Sequence, residues 1–594
     1  MGAGRDLRYF GVLVNFSRAI SVRAEVLTYL GSSSAIALLR SQPSLPEQSP
    51  TARANTDNPD SEAGPWSLWT HPRLQPVLDR RTHCPLPSWN EALSLVSAFF
   101  DQEHMALPLF HPPAFMALLE QQYSGKFDGG PAWWTSFNAV LAISHRRRVE
   151  EGVSADKDLA WGYAANALDT VLDILLRASQ LMSVQALLIL AWFFLGTPNP
   201  QPSFMLVANA IRLAHSIGLH RKGCAPSQSP IERATRVNVF WLAFALDREL
   251  SLRTGRPPAQ DFGDFEVDLP DPLIQHKFST HSLPNTNCNV FCAATQLSVI
   301  EAKLYSEMYL SEGLQPDSVA KATSLLNHDL QDWRAAFFTS FDTATDPELI
   351  KHASVVRLSY TYYHCIILVH RAQNDLDWTT RNSTASDGSC SANISDSIEH
   401  SLHAARSILK IGSQIPTTWH SLLWDVIPIT VTAVIVTCLH ALRRPSSTKI
   451  TEDLRYVFDA VESLTHLGRE ATDSYLRPVT IACQSLYNAA RGATKACINA
   501  FPENQSHGNL QTLASKRVYE GSQDVSRDTW ESCVQMQEGI RTQRPEAEVE
   551  SNLCSQNQSP DVGYAAWDQS LSFREMIPWE FDSLLGESLL EFLG

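Results

Sequence analysis

The groups in this chain that could carry chemistry are its 11 cysteines, its 19 histidines and a few charged residues set in apolar surroundings. The cysteines stand at 84, 224, 288, 292, 365, 390, 438, 483, 497, 533 and 554. No two form a C-x-x-C pair, and the closest spacing, Cys288 to Cys292, lacks the second pair that would complete a tetrahedral zinc site. They read as single buried thiols of a reducing compartment. No histidine belongs to H-E-x-x-H, and neither the phosphate-cradling G-x-x-x-x-G-K-[ST] nor the G-x-S-x-G nucleophile elbow occurs. With no nucleophile, acid–base pair or metal set at a working spacing, the sequence argues against an enzyme, and no catalytic or cofactor residue is assigned.

Two charged groups remain. Asp247 and Arg248 interrupt a stretch, about Ile231 to Arg253, that is apolar nearly all round: Val237, Phe240, Trp241 and Phe244 on one side, Val239, Leu242, Leu246 and Leu250 on another. A helix of that kind is buried, and an ion pair inside it costs several kcal/mol unless matched. Asp247 is therefore expected to meet a cation, with Arg256 the first candidate, and Arg248 to meet carbonyls or a carboxylate. The second group, His145-Arg-Arg-Arg148, reads either as a solvated helix end, where cations suit the dipole, or as a nuclear import patch.

The elements that hold these residues are helices. At 594 residues, 44% hydrophobic and 19% charged, the chain can bury one large core or two ordinary ones. The net charge of −16 argues against a surface that grips phosphate throughout. Four segments separate by composition: a weakly patterned N-terminal segment and Pro/Ser/Asn/Asp linker over 1–64, a helical region over 65–501, a polar linker over 502–560 and an acidic, aromatic segment over 561–594. Across 65–501 apolar residues recur at three- and four-residue spacing, which predicts an all-α domain of many irregular helices. The strongest apolar windows, Leu181–Leu195 and Ile427–Leu439, are shorter than the ~20 residues of a membrane span, so they read as core helices and no membrane partner is expected.

Within Met205–Pro270 the order of parts is specific. Leu206, Ala210, Leu213, Ala214 and Ile217 share one helical face, and Gly218 stands where such a helix would stop. The string Ala210-Ile-Arg212-Leu-Ala-His-Ser-Ile-Gly218-Leu-His220-Arg221, then Glu232, Arg236, Phe240-Trp241, Leu246-Asp247-Arg248 and Gly255-Arg256-Pro257, resembles the regulatory middle region of fungal zinc-cluster transcription factors, the fungal-specific transcription factor domain. Asp101–Phe115, Gln331–Trp333 and Tyr362–Arg371 resemble its flanking helices, so the likeness spans about 90 to 500.

The resemblance implies a nuclear, pathway-specific regulator of RNA polymerase II transcription. A homodimer and a small-molecule effector are both candidate partners of its helical core, and aromatic residues Trp133, Trp134, Trp192, Phe193, Phe194 and Trp241 are candidate linings of an effector cavity. The family's N-terminal binuclear zinc cluster is not matched, since only Cys84 precedes residue 200. Zinc, and direct DNA contact, are thus expected only from a cysteine cluster outside this chain or through a partner protein. A helical adaptor or anti-regulator without its own DNA-binding head is the rival reading. On a helix, Trp579, Phe581, Leu585, Leu589 and Phe592 would form the apolar anchors of a segment in which seven carboxylates face one arginine, Arg574. That composition suits an activation segment contacting the transcription machinery, or else a C-terminal helix docking on the core.

Overall fold

The computed structural model describes residues 82–125, 129–177, 180–199, 201–222, 229–271, 289–310, 316–337, 350–381, 390–447, 449–470 and 476–500. The linkers at either end and the acidic segment 561–594, with Trp579, Phe581, Leu585, Leu589 and Phe592, lie outside these residues. Among the described residues the fold is all-α, with no strand. In chain order the helices are α1 (Trp89–Gln102), α2 (Pro112–Tyr123), α3 (Gly130–Glu150), α4 (Asp156–Asp169), α5 (Val171–Arg177), α6 (Leu181–Leu195), α7 (Gln201–Ser216), α8 (Pro230–Thr254), α9 (Val290–Met308), α10 (Pro316–Phe337), α11 (Ala353–Arg381), α12 (Cys390–Gly412), α13 (His420–Arg443), α14 (Ile450–Glu470) and α15 (Leu476–Ala500).

The chain divides into two compact units. The first takes the described residues up to Leu252, Arg256–Ser397 and Ile415–Val426; the second takes Arg253–Gly255, Ile398–Gln414 and the described residues from Ile427 onward.

The first unit is organised on α3, which packs against α1, α4, α5 and α6. Every residue from Ala132 to His145 is buried, so this helix has no solvent face over four turns. Its rings set the packing: Trp133 stacks on Phe137 with centroids 5.5 Å apart, and Phe115 of α2 meets Trp133 at 4.9 Å. α6 is likewise apolar all round and packs against α3 and α7. Several polar residues that enter this core are matched. Asn166 on α4 accepts from the backbone N–H of His83 (2.7 Å) and Cys84 (3.1 Å), and donates to the Cys84 carbonyl and to Asn138. One buried amide thus fixes where the chain joins the bundle.

Helix starts follow the sequence. Ser229 and Glu232 form a reciprocal capping box on α8, with Pro230 at its first position. Asn289 caps α9 through the Cys292 N–H at 3.0 Å. α9, α10 and α11 pack on one another. In the second unit α14 and α15 pair, and Arg406 forks onto Asp453 with bonds of 2.8 and 2.7 Å.

The second apolar window extends into a longer helix than its composition marked. Over His420–Leu442 it is long and apolar enough to cross a membrane by length and composition, with a mean hydropathy of 2.1. It carries a buried carboxylate, Asp425, bound to Arg357 of α11 at 2.7 Å. With 61% of that window buried, the helix packs into the protein interior.

Two glycines give opposite expectations. A Cβ on Gly196 would fall 2.6 Å from Ser421 Cβ and 3.0 Å from its Cα, whereas one on Gly492, inside α15, would meet nothing within 4 Å. Gly196→Ala is expected to lower stability by about 1–3 kcal/mol through overpacking, and Gly492→Ala to raise it by up to ~1 kcal/mol through helix propensity. Thermal melts followed by circular dichroism check both signs.

Candidate functional site

Most of the landmark residues build one structure, a clasp between α7, α8 and the loop that follows α8. α7 ends in a Schellman turn: Leu219 N–H donates to the Ala214 carbonyl (2.9 Å) and Gly218 N–H to that of His215 (3.1 Å), with Gly218 at φ +70°. That left-handed turn reverses the chain so that the His220 carbonyl accepts from Glu266 N–H at 2.8 Å. Arg236 of α8 donates to the Ile217 carbonyl at 2.9 Å, fastening the turn to the next helix.

On α8, Asp247 accepts the backbone N–H of Ala259 (2.9 Å) and of Gln260 (3.1 Å). Arg248 donates to the Gln260 carbonyl and lies 3.2 Å from Asp247 Oδ2. Trp241 donates from its indole N–H to the Asp268 carbonyl at 2.7 Å, and Phe265 inserts among Phe240, Trp241 and Phe244 at 5.2–5.6 Å. Outside, Arg221 reaches Asp264 at 2.6 Å and Lys222 reaches Asp268 at 2.6 Å; such exposed pairs add little stability.

Burial dominates the electrostatics of the clasp. It pushes the Asp247 carboxyl up against the opposing pull of Arg248 and the two backbone N–H groups. It pulls the Arg248 guanidinium down against the attraction of Asp247. Both ions therefore remain net costly in place, and what they supply is direction: neither can move without leaving the other uncompensated. Burial, with His215 and Arg221 adding to it, lowers His220 to about 4, so its ring is neutral where it packs 4.8 Å from that of His215.

Several sequence expectations take a different form. The cation recorded beside Asp247 is its neighbour Arg248, not Arg256. Gly255, at φ +59°, begins the turn that carries Arg256 to the side chain of Gln201 and over the Phe204 ring at 4.8 Å, and Pro257 follows exposed. Arg212 is exposed on α7, and no contact with the clasp is recorded for it. The His145–Arg148 run forms the C-terminal end of α3, with Arg147 and Arg148 in its last turn and about a third exposed, as the helix-end reading expects, and both face acids. His145 is buried and 2.9 Å from Asp156, Arg147 faces Glu103 and Glu151, and Arg148 faces Glu91 and Asp156. Of the six proposed cavity aromatics, Trp192 lines a pocket of about 130 Å³, while Trp133, Trp134, Phe193, Phe194 and Trp241 are buried core.

Sequence reasoning missed Gln260. Its N–H and carbonyl meet Asp247 and Arg248, and its side-chain oxygen lies 2.5 Å from His215 Nε2. A neutral residue in a loop gives no periodic signal. It also missed the triad in which Arg357 joins Glu249 of α8 to Asp425 of α13. Nothing among the described residues suits a zinc cluster: no group of three or more His, Cys, Asp or Glu could hold a metal, and the described free cysteines are dispersed and buried.

Comparison with known proteins places this architecture. Residues 96–335 match the family model of the fungal specific transcription factor domain. The chain is 43% identical over 438 residues to the fusaridione A cluster transcription factor of Fusarium heterosporum, covering 74% of this chain and 84% of that protein. It is 33% identical to ABC-transporter-regulating transcription factors of Aspergillus fumigatus and Aspergillus oryzae, over 72% and 70% of this chain. It spans about half the length of those two Aspergillus proteins, 49% and 48%.

Asp247→Ala is expected to cost about 3–5 kcal/mol, because it leaves Arg248 buried without its anion and two loop N–H groups without an acceptor; Asp247→Asn, which keeps an acceptor, costs less. Scanning calorimetry of the two variants tests the order. His220 gives a pH signature. Its folded pKa of about 4 lies below the ordinary 6.5, so the unfolded chain binds the extra proton between them and stability falls as pH drops from 6.5 toward 4. Burial also lowers His440 and contributes with the same sign. The measurement is therefore the difference in acid slope between wild type and His220→Gln, which is expected to be shallower.

Proposed function

Because this chain belongs to the fungal-specific transcription factor domain family, we propose that it is a nuclear, pathway-specific regulator of RNA polymerase II transcription whose helical core restrains an acidic C-terminal activation segment. The observation that carries this reading is the clasp. Its ionisable groups are consumed in holding a loop against two helices, so the landmarks serve a conformational part rather than bond chemistry. A core whose loop is held by directional, buried polar bonds has discrete arrangements to switch between. An effector or a partner that prefers one arrangement shifts the population toward it.

In this reading the domain boundaries fall near 64, 501 and 560, and the core is presented as a homodimer. Contact with DNA comes from a cysteine cluster outside this chain, which would supply zinc, or from a DNA-binding partner protein. Trp579, Phe581, Leu585, Leu589 and Phe592 present apolar anchors to the transcription machinery, while the surrounding carboxylates keep them solvated until they are bound.

Fusing residues 561–594 to an unrelated DNA-binding domain is expected to activate a reporter. Adding residues 65–501 in cis is expected to lower that output several-fold. A silent fusion overturns the activation segment; equal output from both fusions overturns the restraint.

A further inference from the structure

A pocket of about 130 Å³ lies in the first unit, walled by residues of α3, α6, α11 and the first turns of α13. Its polar lining includes Arg146, Arg147, Arg357, Glu103, Glu150 and Asp425. The carboxylates are engaged. Glu150 accepts from the Ser421 N–H at 2.9 Å and from the Ser421 hydroxyl, so it caps the start of α13. Asp425 accepts from Arg357 Nε at 2.7 Å, and the other arm of that guanidinium turns to Glu249. Glu103 faces Arg147 at 3.5 Å and is bonded to Trp192, and burial pushes its carboxyl up.

Arg146 differs. Its side-chain hydrogen bond goes to the neutral carbonyl of Phe193 and its guanidinium lies 4.7 Å over the Phe193 ring; burial lowers its pKa against the longer-range attraction of Glu150, Glu103 and Asp425, none of which makes a close ion pair with it. A guanidinium presents five N–H donors in a planar fork shaped for a carboxylate. Beside it, Trp192 carries Arg357 at 4.8 Å and offers flat apolar surface. The pocket's volume is close to the ~150 Å³ of an enclosed apolar cavity that binds benzene, which sets the size of a compact ligand body.

We infer that this pocket binds a compact organic monocarboxylate, its carboxylate forked by Arg146 and its body lying against Trp192. Arg357 ties the pocket wall to Glu249, which directly follows the two α8 residues that hold the loop. Occupancy therefore bears on the clasp through one helix. This consequence rests on the regulatory reading above; the binding site does not.

The test uses the full chain with benzoate and isovalerate as probes, and benzamide and inorganic phosphate as comparators, read by calorimetric titration and thermal shift. At least one monocarboxylate is expected to bind saturably, at least tenfold more tightly than either comparator. Arg146→Gln is expected to weaken it at least tenfold, and Ala106→Phe, which fills the pocket, to abolish it. Overturning results are no monocarboxylate binding, undiminished binding in Arg146→Gln, or benzamide or phosphate binding as well as the acids. Should Arg146→Gln fail to fold, Ala106→Phe decides: retained binding overturns the site. Binding without any change in reporter output leaves the site standing and overturns its link to regulation.

Discussion

The structure of the landmark region depends on a buried ion pair that costs energy to place. Asp247 and Arg248 are each 2–3% exposed, and burial weighs against the charge of both. What offsets the cost is geometry: the carboxylate takes two successive loop N–H groups, and the guanidinium takes the carbonyl of the second residue. Apolar contact alone would let Phe265 settle in several registers among Phe240, Trp241 and Phe244. The polar bonds select one. Buried charge here sets a unique conformation rather than adding stability, and it makes the clasp sensitive to loss of either partner.

Asp247, Arg248 and Glu249 are consecutive, and successive residues of a helix point about 100° apart. They therefore fan out from α8 instead of sharing one partner. Asp247 and Arg248 take the loop, while Glu249 takes Arg357 and the Thr361 hydroxyl on α11. One short run thus ties a helix to a loop on one side and to a helix on another. A shift of α8 that improves one set of bonds would strain the other, so the position of α8 is fixed from two sides.

Much of this was legible in the sequence. The three- and four-residue spacing gave the helices, Gly218 gave the end of α7, and apolar residues all round α8 announced that Asp247 and Arg248 would be buried. The partner of Asp247 was not legible. The expectation that a carboxylate seeks the next arginine favoured Arg256, but the turn at Gly255 turns that side chain toward Gln201 and Phe204, and backbone N–H groups do the matching instead. Main-chain donors are present at every residue, so their use leaves no trace in composition. Gln260 was hidden for the same reason. The Glu249–Arg357–Asp425 triad was hidden by distance, since its members are 108 and 68 residues apart.

The fate of the basic residues bears on how such a core could meet nucleic acid. A grip on phosphate requires cations whose counterions are free to leave. In the described helices many cations are already neutralised from within: Arg147 and Arg148 by acids of α1 and the α3–α4 region, Arg221 and Lys222 by the loop, Arg357 and Arg406 by buried carboxylates. Releasing any of them to a phosphate would expose a carboxylate at the same point, so attraction and repulsion arrive together. With a net charge of −16 over the chain, this internal pairing argues against phosphate contact through these cations.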